Sequence, residues 1–142
     1  MFNYLPPPAD LIEYAKSLYF RRCEGEIIPV EPIAINTWFP AESECHENAA
    51  ILQNYSSKYK AIRGWLYMED VGSGEYVRFA SHSVVQIDGQ RMVDITPRRI
   101  LRDYPFLSAN IDEQYYNSIV EKLAIVNGGY TFLDYWLEEG GI

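Results

Sequence analysis

Basic charge is scarce in this chain: twelve Lys and Arg face twenty Asp and Glu, for a formal net charge of −8. A polyanion such as nucleic acid is repelled by that balance unless a local basic patch overcomes it. The one dense basic cluster, Arg98, Arg99 and Arg102, follows Thr96-Pro97 and reads as a solvated helix face, so no nucleic-acid partner is expected. Cysteine is scarcer still, with only Cys23 and Cys45. Two thiols cannot build a disulfide framework at this size, although a single bridge stays formally open. No apolar run approaches the roughly 20 residues that span a bilayer. The start, Met1-Phe-Asn-Tyr-Leu-Pro-Pro-Pro, has neither the basic nor the continuous apolar region of a secretion signal. These absences predict no membrane partner and a reducing, cytoplasmic setting with both thiols free.

What is present is apolar bulk: 142 residues that are 48% hydrophobic and 15% aromatic, with twelve Tyr. That composition excludes a disordered chain, and the length suits one domain over 1–142. Asp10 and Glu13 have capping-box spacing, and Leu11, Tyr14, Ala15 and Leu18 recur at helical intervals, predicting a helix over 11–22. Pro29, Pro32 and Pro40 forbid a long helix over 24–40. Ser43 is a suitable N-cap for a helix from Glu44 to Tyr55. Strands are predicted at Ala61–Met68, Tyr76–Ile87 and Arg91–Thr96, punctuated by Gly72-Ser-Gly74 and Asp88-Gly89. Thr96-Pro97 has the form of a further helix start. A longer helix over 111–126 stops at Gly128-Gly129, and 130–137 is open between strand and short helix. The order predicts an α+β fold with antiparallel strands.

There are two histidines, so any Cys–His chemistry has a short list of partners. His46 adjoins Cys45, and neighbours on a helix point about 100° apart, which makes His46 a poor base for that thiol. His82 lies inside the second predicted strand. By the two-residue period, Val77, Phe79, Val85 and Ile87 form a core face, while Tyr76, Arg78, Ala80, His82, Val84 and Gln86 form a more polar face able to border a cleft. A two-residue Asp88-Gly89 hairpin would put Asp94 on the opposite face from His82. A three-residue loop, Ile87-Asp88-Gly89, pairs Gln86 with Gln90 and sets His82 directly opposite Asp94. Cys45, about two residues inside the predicted helix, has its thiolate favoured by the partial positive charge of the helix start, against the negative charge of Glu42, Glu44 and Glu47.

Cys45 opening a helix, His82-Ser-Val-Val on a strand and Met92-Val-Asp94-Ile-Thr-Pro97 on the next together resemble the papain-like superfamily in its transglutaminase-like branch. Cys45-His-Glu-Asn48 is also similar to arylamine N-acetyltransferases, distantly. The resemblance covers roughly 36–97 and implies a catalytic triad of Cys45, His82 and Asp94. It implies a cysteine hydrolase or acyl transferase acting on an amide (a peptide, a glutamine side chain or a small amide) through a thioester. By the same resemblance Asn36 is the nearest amide for the oxyanion and Trp38 lies close by, with Asn48 on the helical face of Cys45 as support for the site. The Arg-Gly-Gly lead-in of the acetyltransferases is absent, and no cofactor is implied.

Each residue has a plainer reading. A free cysteine is commonly a buried small hydrophobe, Asp94 can cap the turn at Thr96-Pro97, and Asn48 can serve as a buried structural hydrogen bond. Trp65 and Tyr67 share one strand face as either core or cleft wall. A metal site is disfavoured by the adjacency of Cys45 and His46. The alternative function is a catalytically inactive papain-like module that binds a protein partner through an acidic, Tyr-rich surface.

Overall fold

In a computed structural model of the chain, which describes residues 3–98 and 102–137, the architecture is α+β. Three α-helices lie on one open, five-stranded antiparallel sheet. The helices are α1 (Ile12–Phe20), α2 (Cys45–Tyr55) and α3 (Glu113–Val126). The strands are β1 (Tyr59–Met68), β2 (Tyr76–Ile87), β3 (Arg91–Val93), β4 (Phe106–Ser108) and β5 (Phe132–Trp136). The 130–137 segment, open in the sequence, is thus a strand. β4 has no sequence signal, being three residues long.

The sheet order is β3-β2-β1-β4, and β5 also pairs with β2. β1 pairs with β2 along one edge from Arg78 to Ile87. On the other edge, β5 takes Tyr76–Ala80 and β3 takes Val85–Ile87, so Ser81–Val84 lie between the two short strands. His82 sits in that interval.

Val77 and Phe79 pack with Leu11, Ala15 and Leu18 of the first helical segment and with Tyr116, Ile119 and Leu123 of α3. Val85 packs with Ala49 and Leu52 of α2 and with Val93 and Ile95. All three helices therefore cover the face predicted as core. The opposite face is not the polar surface expected: Ile28, Val84 and Phe106 form a third apolar cluster there, and Arg78, His82 and Val84 are buried. β2 is buried on both sides, because the irregular 24–40 segment closes over the back of the sheet.

Some local expectations are corrected. Asp10 makes no helix cap and instead pairs with Lys122 at 2.6 Å. Ser43 adopts φ 62° and does not cap α2, whose N-cap is Glu44. The residues after Thr96-Pro97 show no helix at Arg98 or over 102–105, and Arg99 lies outside the described residues. Arg98 and Arg102 are instead in ion pairs with Asp103 and Asp70. No helix among the described residues is long and apolar enough to cross a membrane.

Candidate active site

The β2–β3 turn decides whether His82 and Asp94 can meet. Asp88 and Gly89 are both left-handed, with φ of 54° and 68°, and Gln90 N–H donates to Ile87 O. Asp and Gly are the residues that tolerate this. The ladder then pairs Ile87 with Arg91, Gln86 with Met92 and Val85 with Val93. The loop has three residues, as the dyad requires, but they are Asp88-Gly89-Gln90 rather than Ile87-Asp88-Gly89. The pairing of Gln86 with Gln90 is therefore corrected, and Asp94 falls diagonally from His82 instead of opposite it. A two-residue shift keeps side-chain parity, so both stay on one face. Nε2 of His82 lies 2.6 Å from Oδ2 of Asp94, and both side chains are buried.

Beyond Val93 the backbone of Asp94 leaves β2 and is held by the 29–31 segment. Its N–H donates to Pro29 O at 2.8 Å, and its carbonyl accepts from Glu31 N–H at 2.9 Å. On the far side of His82, Gly64 is its β1 partner. A Cβ at Gly64 would lie 2.1 Å from Leu107 O and 2.6 Å from the Phe106 ring. The bare glycine lets that ring pack edge-on to His82 at 6.3 Å.

Cys45 is the first residue of α2, slightly nearer the helix start than predicted. The N-cap Glu44 contributes no side-chain hydrogen bond to the helix, so the first-turn N–H groups have no cap from it and carry the partial positive charge of the helix start. Glu42, Glu44 and Glu47 are exposed, which leaves their charges screened by water. Burial pushes the Cys45 thiol up, but the interactions of His46 and His82 outweigh it and bring the thiol from 9.0 down to about 6. Burial likewise disfavours a charged His82, yet the hydrogen bonds to Asp94 and then Cys45 raise it from 6.5 to about 10. With Nε2 taken by Asp94, Nδ1 is the ring nitrogen left for sulfur. Both shifts favour a thiolate–imidazolium pair.

Asn48 is buried and links this nucleophile to its carboxylate. Its carbonyl accepts from Ala41 N–H at 3.1 Å, and its amide donates to Ala41 O at 2.8 Å and Thr96 Oγ1 at 3.0 Å. Thr96 N–H in turn donates to Asp94 Oδ1 at 3.2 Å. Both amide protons are committed, so Asn48 supports the lead-in to Cys45 and is no oxyanion donor. Asn48→Ala is expected to cost about 1–3 kcal/mol by stranding these groups; a urea-unfolding midpoint that stays put would show the bonds to be idle.

Asn36, Trp38 and Trp65 each have a local structural role. Asn36 is exposed at φ 51° in the tight turn joining Ile35 to Trp38, the turn role that asparagine fills readily. Trp38 is half-buried against the α2 cluster. Trp65 is fully buried, donating from Nε1 to Tyr14 Oη at 3.0 Å, and is core rather than cleft wall. A cavity of about 210 Å³ lies at Tyr67, Glu69, Asp70 and 102–105, with none of Cys45, His82 or Asp94 in its lining. Among the described residues no three His, Cys, Asp or Glu side chains gather as metal ligands.

No protein-family model, curated protein or solved structure matches the chain.

Two neighbours of the thiol escaped the sequence reading. His46, set aside for its adjacency to Cys45, interacts with it and is anchored to β2. Tyr116 of α3 donates to Gly64 O at 2.7 Å and meets the His46 ring edge-on at 5.9 Å. Its phenol is held well above its ordinary value by burial and then by the charge on Cys45. The available signal was Ser81 and Ser83 flanking His82: small polar residues in a buried strand need partners.

Proposed function

We propose that the chain is a cysteine-dependent hydrolase or acyl transferase with a papain-like, transglutaminase-like core, acting on an amide through a thioester at Cys45. The observation that carries this reading is the buried relay from Asp94 through His82 to a thiol lowered to about 6 at the first residue of a helix. A structural thiol buried among apolar groups is pushed the other way.

The chemistry follows from the resting ion pair. The Cys45 thiolate attacks the carbonyl carbon, and the oxyanion takes first-turn N–H donors of α2, the Cys45 N–H first. His82 gives its proton to the leaving amine as the C–N bond breaks, leaving an S-acyl enzyme and a neutral imidazole. Water or a second amine then surrenders a proton to His82 and attacks the thioester, and Cys45 departs as thiolate. Asp94 keeps the ring oriented and supports its positive charge throughout. Both cysteines are free, and we place the activity in a reducing, cytoplasmic setting.

A generic activated ester, p-nitrophenyl acetate, tests the nucleophile. Release of p-nitrophenol with an acetyl adduct on the Cys45 peptide is expected, and Cys45→Ala should abolish both. Acetylation of exposed Cys23 at an equal rate, or no Cys45 adduct on fully reduced protein, would refute the reading.

A further inference from the structure

Asp94 holds the His82 imidazole at one atom, Nε2. The χ2 torsion of a histidine is broad, so a ring tethered there can still roll about its Cβ–Cγ bond. Rolling swings Nδ1, the nitrogen opposite the tether, to a new direction. What meets the ring and limits the roll comes from two strands away. Gly64 of β1 pairs with His82 and Leu66 with Phe106 of β4, so Phe106, Gly64 and His82 share the back face of the sheet. Next-but-one strands stand about 9.5 Å apart, and a β4 side chain meets β2 only across whatever β1 places between them. Gly64 places nothing there: a Cβ at that position would lie 2.6 Å from Cζ of Phe106. The phenyl ring crosses β1 through this gap and meets the imidazole edge-on, with centroids 6.3 Å apart and planes at 69°. The backbone of Phe106 is fixed on both sides. β1 holds one edge, and on the other Phe106 N–H donates to Glu26 O at 2.8 Å and Glu26 N–H to Phe106 O at 3.2 Å. Ile28 and Val84 pack with the ring in a buried cluster.

We infer that Phe106 is a positioning residue for the reaction, its ring seated across Gly64 so that it sets the rotation of the His82 imidazole on the Asp94 bond, and with it the direction of Nδ1. This rests on His82 being the base and adds the restraint that a single hydrogen bond cannot supply. Asp94 selects the tautomer, and Phe106 selects the angle at which the proton is handed over.

The test is p-nitrophenyl acetate turnover together with the pH profile of Cys45 alkylation by iodoacetamide, on the full chain, for wild type, Phe106→Leu, Leu18→Ala and His82→Gln. Leucine keeps the back of the sheet apolar but lacks the flat ring that meets the imidazole. Phe106→Leu is expected to lower kcat about ten-fold and change KM by less than about two-fold, because a misdirected base costs in the transition state and not in binding. The alkylation midpoint should rise by about half a pH unit. Leu18→Ala removes a fully buried side chain from the cluster on the other face of the sheet and should leave kcat and the midpoint in place. If Phe106→Leu matches wild type in both readouts while His82→Gln moves them, the Phe106 inference falls and the triad stands. If Leu18→Ala lowers kcat as much as Phe106→Leu, lost stability is the cause and the inference also falls. If no variant, His82→Gln included, moves either readout, the nucleophile reading itself falls. Should Phe106→Leu not fold, Phe106→Met decides, and an unmoved kcat there overturns the inference.

Discussion

Asp94→Asn is expected to leave the chain folded while cutting acyl transfer by about 10³–10⁴-fold. Asparagine is isosteric, and its carbonyl can keep the hydrogen bond from Thr96 N–H now made by Oδ1. Its amide then faces Nε2 of His82, where the carboxylate stood 2.6 Å away. A donor there makes Nε2 an acceptor and drives the remaining ring proton onto Nδ1. That is the nitrogen that has to take the Cys45 proton, so the ring is held in the wrong tautomer. Alkylation of Cys45 should shift from its midpoint near 6 towards the ordinary thiol range. Measured p-nitrophenyl acetate turnover and the alkylation profile must both move; full turnover in Asp94→Asn would remove Asp94 from the mechanism.

Thiol chemistry is the readout of choice because the pair's shifts nearly cancel in stability. The Cys45 thiol is depressed from 9.0 to about 6, so its contribution is present above 9.0 and lost as pH falls through about 6. His82 is raised from 6.5 to about 10, so its contribution is present below 6.5 and lost as pH rises through about 10. Between 6.5 and 9.0 the unfolded pair holds one proton on sulfur, and the folded pair holds one on nitrogen. The proton counts match, and this pair leaves stability level with pH across that window.

The elements with long periodic patterns were legible in the sequence. α2, α3, β1 and β2 stand within about two residues of their predicted bounds, because each carries many residues of one period. β4 and β5 were not, since three to five residues hold too little pattern to separate strand from helix. The burial of the second face of β2 was missed for a different reason. What covers it is Ile28 of the irregular 24–40 segment and Phe106 of the short strand β4, both distant in sequence, and no local periodicity reports a non-local cover.

The candidate site was legible through chain order and parity. Cys45, His82 and Asp94 could be chosen because histidines are few and because an odd-numbered hairpin loop keeps 82 and 94 on one side of the sheet. The register within that parity was not legible, since it depends on left-handed φ at both Asp88 and Gly89. His46 was rejected by a rule about neighbours on a regular helix. Cys45 is the first helical residue, and His46 is fixed by β2 rather than by the helix alone. Asn36 was carried by type and proximity in sequence, which say nothing about where a turn points, and Trp65 by strand parity, which does not separate core from cleft wall.

Arg78→Met is expected to lower stability by about 3–5 kcal/mol, the largest loss from any single change outside the site. Arg78 and Asp134 face each other across β2 and β5, forming two parallel bonds of 2.7 and 2.8 Å (Nε to Oδ1 and Nη2 to Oδ2). Their side chains are 2% and 0% exposed, so removing one leaves the other charged and dry. The pair also clasps the start of the chain: Nη2 donates to Asn3 O at 3.0 Å, and Asp134 Oδ2 accepts from Leu5 N–H at 2.9 Å. That places Tyr4 against Tyr76 and Trp136. Phe132 stacks on the guanidinium at 4.5 Å, so a flexible apolar methionine keeps much of the packing and isolates the effect of charge. The thermal midpoint should fall by on the order of 10 °C. Asp134→Leu added to Arg78→Met should restore much of it by removing the stranded carboxylate. A loss below about 1 kcal/mol in Arg78→Met, or no recovery in the double variant, would contradict a dry, mutually dependent pair. Cys45 alkylation of the folded fraction should be unchanged, since the Arg78–Asp134 pair bonds across β2 and β5 and to Asn3 and Leu5 at the start of the chain.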